Sequence, residues 1–243
     1  AYPTLAFVAF QATFAIITVA LVSGAIADRA KFGSWMIFAF LWATIVYFPV
    51  ASWVFNFGLA DGAFSYGGWI THGLQDVFGV GAIDFAGGTA VHINAGAAAL
   101  ALALVLGKRV GFQKGAHVPH NPPFVLLGAG LLWFGWFGFN AGSELAADGV
   151  ASSVWLNTTV ATCAAAIGWL FVEKIRDGHA TSLGAASGVV AGLVAVTPAC
   201  GALSPVGSII LGVVAGGLSA LAVGLKYKFG YDDSLDVVGV HLV

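Results

Sequence analysis

Seven times along this chain a run of about 18 to 25 residues passes with almost no charged side chain, each long enough to cross a bilayer. The runs lie at 4–27, 33–57, 84–107, 122–143, 151–173, 181–198 and 203–225, and an eighth begins at 235 and continues to residue 243. Roughly 20 mostly apolar residues cross about 30 Å of hydrocarbon as a helix. Composition agrees: 59% of residues are hydrophobic and 8% charged, against about a quarter charged in a soluble domain. The expected fold class is an all-α membrane protein, a polytopic transmembrane helix bundle threading the cell membrane several times.

The charges check the count of spans. Arg29 and Lys31 lie between the first and second; Lys108, Arg109 and Lys114 between the third and fourth; Lys174 and Arg176 between the fifth and sixth; Lys226 and Lys228 between the seventh and eighth. That accounts for all nine basic residues. The alternate connections, near 58–83, 144–150 and 199–202, have none, while Asp61, Asp76, Glu144 and Asp148 fall in the first two. Basic residues collect on the cytoplasmic side, so odd-numbered spans run inward and even-numbered ones return. The long outer connection, rich in glycine and aromatics, could shape a vestibule or hold a short helix.

Other features narrow the possibilities. A net charge of −2 with scattered basic residues gives no surface for nucleic acid. Cys163 and Cys200 stand in apolar context without metal-ligand spacing and are expected to be small core residues, with no cofactor implied. The opening AYPTLAFVAFQ has no basic n-region and reads as no signal peptide, and the end within an apolar phrase suggests a piece of a longer protein. Glycines four apart (Gly184, Gly188 and Gly192; Gly212 and Gly216; Gly138 and Gly142) predict smooth stripes where helices pack closely.

Within the third span, DFAGGTAVH sets His92 eight residues after Asp84; DSLDVVGVH sets His241 eight residues after Asp233. Were both stretches helical, each imidazole would stand roughly 12 Å from its carboxylate. The charge pattern makes these helices antiparallel, so their histidines are expected at similar depth from opposite faces. An inverted-topology repeat with a midplane site would produce this. A lone histidine on an apolar face is by default a core residue bonded to a carbonyl, but two at matched depth point to a pathway for a small molecule. His72, His117, His120 and His179 fall in connections and are read as solvated.

DFAGGTAVHINAG, followed by GKRVGF, GWFGFNAGS, GLVAVTPACG and DVVGVH, resembles the ammonium transporter family that includes Amt, Mep and the Rhesus proteins, closest to prokaryotic Amt. The resemblance covers nearly the whole chain in family order. It implies an inverted repeat of five plus five helices in one ammonium transporter domain over 1–243. The chain is expected to run from the family's third helix into its tenth, truncated at both ends. It further implies a homotrimer with one pore per subunit, and a PII signal protein as a partner at the cytoplasmic face.

Residue by residue, the resemblance implies that His92 and His241 are twin pore histidines and that Phe14 and Phe139 close the outer mouth. Phe10 lies one turn from Phe14. Ser143 and Trp136 match an outer recognition hydroxyl and a pore-side tryptophan, and Asp84 an acidic residue that holds the outer site. A recognition tryptophan of the family is matched by Phe55, with Trp53 two residues away, a weaker face for a cation. The implied activity is passage of ammonium: a cation recruited outside, deprotonated as it is desolvated, and carried on as ammonia past two histidines. Potassium ion has no proton to give up and would be refused. Alternatives are an ammonium sensor on the same fold, a neutral small-solute channel, and a haem protein using the histidines as axial ligands. No catalytic residue and no enzyme activity are expected.

Overall fold

In a computed structural model, which describes residues 3–60, 63–66, 68–114 and 119–243, the apolar runs become helices. Asp61 and His117 lie outside the described residues. Helix α1 is Thr4–Ala25 and α2 is Phe32–Phe55. Pro49 sits in α2, where its missing N–H and its ring would break an α ladder. The helix absorbs it with a wider π turn at Ala43–Tyr47, immediately upstream.

The outer connection holds two short antiparallel strands, β1 (Phe57–Ala60) and β2 (Ala63–Tyr66), with Phe57 opposite Tyr66. A short helix α3 over 69–78 follows and stops at Gly79, whose φ of +72° suits glycine. The hairpin lies outside the spans, so the membrane part stays all-helical.

Next come α4 (Gly88–Leu106), α5 (Pro122–Glu144), α6 (Gly149–Asp177), α7 (Ser182–Val196) and α8 (Pro205–Phe229); α9 (Val237–His241) is short. Caps set several starts. Asp148 accepts from Val150 N and Ala151 N, Thr181 from Gly184 N, and Ser204 from Gly207 N, while Pro122 and Pro205 occupy first turns where no N–H is missed. Among the described residues, six helices are long and apolar enough to cross a membrane. The sixth expected span, 181–198, is the exception. As α7 it has 15 residues, about 22 Å of rise, and ends just before Pro198.

The densest packing joins α6, α7 and α8, and small residues make it possible. A Cβ on Gly212 would stand 2.3 Å from the Ala161 carbonyl oxygen, and one on Gly216 2.1 Å from that of Ala165. Gly188 and Gly192 bring α7 against α6, where a Cβ would stand 2.8 and 2.7 Å from the nearest atoms. The third glycine pair behaves otherwise: Gly138 faces open space and Gly142 meets only the Phe10 ring. Four-residue spacing marks a packing face only where a second helix lies against it. Cys200 is buried, but Cys163 is exposed and so is no core residue.

On the inner side the scattered charges assemble. Asp232, wholly buried, accepts from Arg109 N at 2.7 Å and from Arg109 Nε and Nη2, both at 3.0 Å. Arg29 approaches the same carboxylate at 3.6 Å and donates to the Gly107, Ala25 and Asp232 carbonyls. Lys226 donates to the Asp233 carbonyl at 3.0 Å and pairs with Asp236 at 2.6 Å. These contacts tie the connections after α1, α4 and α8 into one knot.

Candidate pore site

Asp84 organises the start of α4. Its Oδ1 accepts from Gly87 N (2.7 Å) and Gly88 N (2.5 Å), and its Oδ2 from Thr89 N (2.8 Å) and Ala90 N (3.1 Å). One carboxylate thus satisfies four donors that a helix start leaves open. Gly87 takes the left-handed conformation this fold-back needs, with φ +110°. Beside it, Gly88 lies against Pro198 so closely that a Cβ would be 2.5 Å from the proline ring. The first turn, Gly88–Ile93, is π-helical and carries His92.

The second D-x7-H segment repeats this plan. Asp233 Oδ2 accepts from Val238 N at 2.7 Å, five residues on, as Asp84 does from Thr89 N. The residue three after the aspartate is again left-handed, here Asp236 with φ +61°. Helix α9 begins one residue later, and its fifth residue is His241, as His92 is the fifth of α4. Residues 84–87 and 233–236 are not helical, so neither histidine is separated from its aspartate by unbroken helix. The matched spacing reflects two aspartate-capped helix starts in the same register, Asp84 serving four amides and Asp233 Val238 N, not eight residues of helical rise.

The two imidazoles meet. Nδ1 of His92 lies 3.0 Å from Nδ1 of His241, with ring centroids 5.1 Å apart and planes inclined by 22°. Both are buried, His92 1% exposed and His241 7%. One Nδ1 donates and the other accepts, so the two neutral rings carry complementary tautomers. Nε2 of His92 is buried and hydrogen-bonds no protein group.

Aromatic rings build the wall above. Trp136 on α5 stacks on His92 at 5.4 Å with planes 10° apart, and Phe139, one turn on, is 5.0 Å from the indole. Phe139 in turn stacks on Phe14 of α1 at 4.5 Å and 21°. Phe10 and Phe55 meet Phe14 edge-on at 4.9 and 6.3 Å. Rings stacked at 4.5 Å leave no gap, so the outer side is shut at this point. Trp53 turns away to pair with Trp69 at 5.5 Å, so of the two aromatics near residue 55 it is Phe55 that reaches the cluster. Ser143, one turn beyond Phe139, donates its hydroxyl to the Phe139 carbonyl at 2.7 Å.

Two apolar cavities touch the pair. One of about 450 Å³ is lined by His92, His241, Thr89, Pro198 and Leu218 among others. The other, about 270 Å³, lies between α5, α7 and α9 and is lined by Leu132, Ser187, Val240 and His241. His241 lines both.

A sequence model described as the Ammonium Transporter Family matches residues 1–243. The chain belongs to that family. An ammonium transporter of Mycobacterium tuberculosis (strain ATCC 25618 / H37Rv) is 64% identical over 242 residues, which cover 99% of this chain and 49% of that protein. One from Aquifex aeolicus is 50% identical over 241 residues, covering 99% of this chain and 52% of its own length. The crystal structure of Saccharomyces cerevisiae Mep2 superposes with a TM-score of 0.87 at 36% identity, covering all of this chain and 52% of that one. A structure titled Sensor Amt Protein matches with a TM-score of 0.84 at 30% identity, covering 96% of this chain and 56% of that one. The chain therefore spans about half the length of the relatives it matches. The family is one of transporters, not enzymes, and membership fits the multi-pass helices.

Phe10, Phe14, Phe55, Phe139, Trp136, His92 and His241 form one column of rings; Ser143 stands one turn beyond Phe139, and Asp84 caps the helix that carries His92. Missed were the polar side chains behind the column. Thr197, Asn140 and Thr158 are all wholly buried: Trp136 Nε1 donates to Thr197 Oγ1 at 2.9 Å, and Asn140 Nδ2 to Thr158 Oγ1 at 3.1 Å. A buried Asn and Thr inside apolar runs were the available signal, since each must find a partner.

Proposed function

We propose that the protein conducts ammonium nitrogen across the membrane by stripping the cation of water and a proton outside and passing ammonia along the buried histidine pair. The observation that carries this reading is the 3.0 Å contact between two imidazoles buried beneath a stacked phenylalanine pair. A cation entering such an interior without partners is penalised by several kcal/mol, whereas its neutral base is penalised far less. Desolvation therefore drives the proton off before the dry stretch.

The outer residues suit the charged form. Ammonium has four N–H donors and no acceptor. The Ser143 hydroxyl spends its proton on the Phe139 carbonyl, so only oxygen lone pairs face other partners. Phe10 and Phe55 add aromatic faces. Phe14 and Phe139 must part for the substrate to move inward, which makes them the gate. Ammonia then exchanges hydrogen bonds with the free edges of His92 and His241, whose complementary tautomers offer one acceptor and one donor. Potassium ion cannot shed charge this way and stops at the gate.

The test is ammonium-evoked current and uptake in proteoliposomes. His92→Ala and His241→Ala are expected to alter flux or potassium exclusion by roughly tenfold, as loss of a buried polar partner would, while the protein still assembles. Parent-like flux and selectivity in both variants would overturn the reading. A parent that binds ammonium and passes none would favour a sensor. The same reading extends to a homotrimer with a PII signal protein at its inner face, checked by native mass spectrometry and by PII capture.

A further inference from the structure

Trp136 is the plate between gate and histidine pair, and its orientation needs a cause. Stacking alone leaves an indole free to slide or turn, because both ring faces are alike to a neighbour. The one directional group on the indole is Nε1–H, and it donates to Thr197 Oγ1 at 2.9 Å. Thr197 follows the last residue of α7 and is itself fixed: its hydroxyl lies 2.7 Å from the Leu193 carbonyl and 3.2 Å from Asn140 Oδ1. The Asn140 amide reaches Thr158 of α6, whose hydroxyl donates to the Val154 carbonyl at 2.7 Å. Three helices thus hold one hydroxyl oxygen in place.

A second candidate partner for that N–H is His92 Nε2, an acceptor in the tautomer whose Nδ1 donates to His241. His92 Nε2 is buried and unpaired within the protein, and its ring is parallel to the indole at 5.4 Å. In a parallel stack the N–H lies in the indole plane and cannot point at the imidazole. Released from Thr197, a buried donor must seek another acceptor, since an unsatisfied one is costly. Turning toward His92 would fix that ring's tautomer and occupy the edge that a passing molecule needs.

We infer that Thr197 is a positioning residue for conduction: its hydroxyl takes the Trp136 N–H, keeps the indole flat, and leaves His92 Nε2 free for ammonia. The inference rests on the conduction reading above and reaches a residue outside the column. It predicts a split between capacity and recognition, because Trp136 lies inward of the outer site. In proteoliposomes, Thr197→Val should lower maximal ammonium flux roughly tenfold, the scale of one lost hydrogen bond, and leave the half-saturating concentration within about twofold. Thr197→Ser, which keeps the hydroxyl, should restore flux to within about twofold of the parent. In ¹⁵N-histidine spectra, the His92 Nε2 signal should shift in the valine variant and return in the serine variant.

Unchanged flux in Thr197→Val, or equal loss in both variants, overturns the inference. Should the valine variant fail to fold, the parent decides. Its ultraviolet resonance Raman difference against Trp136→Phe must show a hydrogen-bonded indole N–H, and a free N–H overturns the assignment. A parent that carries no ammonium would instead sink the conduction reading and with it the role in conduction, while the Raman and nitrogen spectra would still decide whether Thr197 holds the indole.

Discussion

On the proposed conduction reading, Ser143 and Phe55 are where single side chains bear on recognition. Ser143→Ala removes the lone pairs offered to ammonium without opening a cavity, and the Phe139 carbonyl loses only a supplementary partner. The half-saturating ammonium concentration should rise about two- to tenfold with less change in maximal flux, read from concentration series in proteoliposomes. An unchanged curve would remove Ser143 from the outer site. Phe55 already meets Phe14 edge-on at 6.3 Å, and tryptophan has the stronger cation-binding face. Phe55→Trp should therefore lower the half-saturating concentration about two- to fivefold, on the order of 0.5–1 kcal/mol at an exposed site. The places of Ser143 and Phe55 beside the ring column were legible through the phrases GWFGFNAGS and SWVFNFG. Thr197 was not, since nothing local to TPACG says that an indole on another helix depends on it.

Elements are set by their ends and by their small residues. Asp84 serves four amides where an N-cap usually serves one or two, so Asp84→Ala should destabilise by more than the ~1 kcal/mol of an ordinary cap. Asp84→Asn keeps one acceptor oxygen and should fall between; thermal unfolding in detergent ranks the three. Gly216→Val drives a side chain into the Ala165 carbonyl, 2.1 Å from the ideal Cβ, and should destabilise by about 3 kcal/mol or more by the same measurement. Gly138→Ala, by contrast, meets open space and should change stability little. Helix existence was plain from apolar length, whereas the caps Asp148 and Thr181 that start α6 and α7 were not singled out. The shortness of α7 was not plain either, because hydropathy continues through Thr197 and beyond while the helix stops before Pro198. Hydropathy records what tolerates an apolar setting, and a turn whose polar groups are satisfied by neighbouring helices tolerates it too.

For the molecule as a whole, the basic residues were legible as a topology signal but not as a structure. Arg29 and Arg109 converge on Asp232 across connections far apart in the chain, and no local pattern announces such pairing. Burial pushes the Asp232 carboxyl up, but hydrogen bonds and charge from Arg109, with Arg29, hold it below the usual range. Its contribution to stability is present above the unfolded value and is lost as pH falls through the folded one. Asp233 has the opposite sign: burial pushes it up to about 6, so the folded form binds its proton more tightly. That contribution is full below the unfolded value near 3.8 and is lost as pH rises through about 6. Between pH 7 and 5 the melting temperature should therefore rise on acidification in the parent. The rise should shrink in Asp233→Asn, which keeps an acceptor for Val238 N. The π turn at Gly88–Ile93 has its own consequence for lineage and engineering alike. A π turn holds roughly 4.4 residues where an α turn holds 3.6, so its six residues sweep about the same angle as five in ordinary α-helix. A chain shortened by one residue within 88–91 would close as α-helix with both ends nearly in phase, so a single deletion should be tolerated here far more readily than farther along α4.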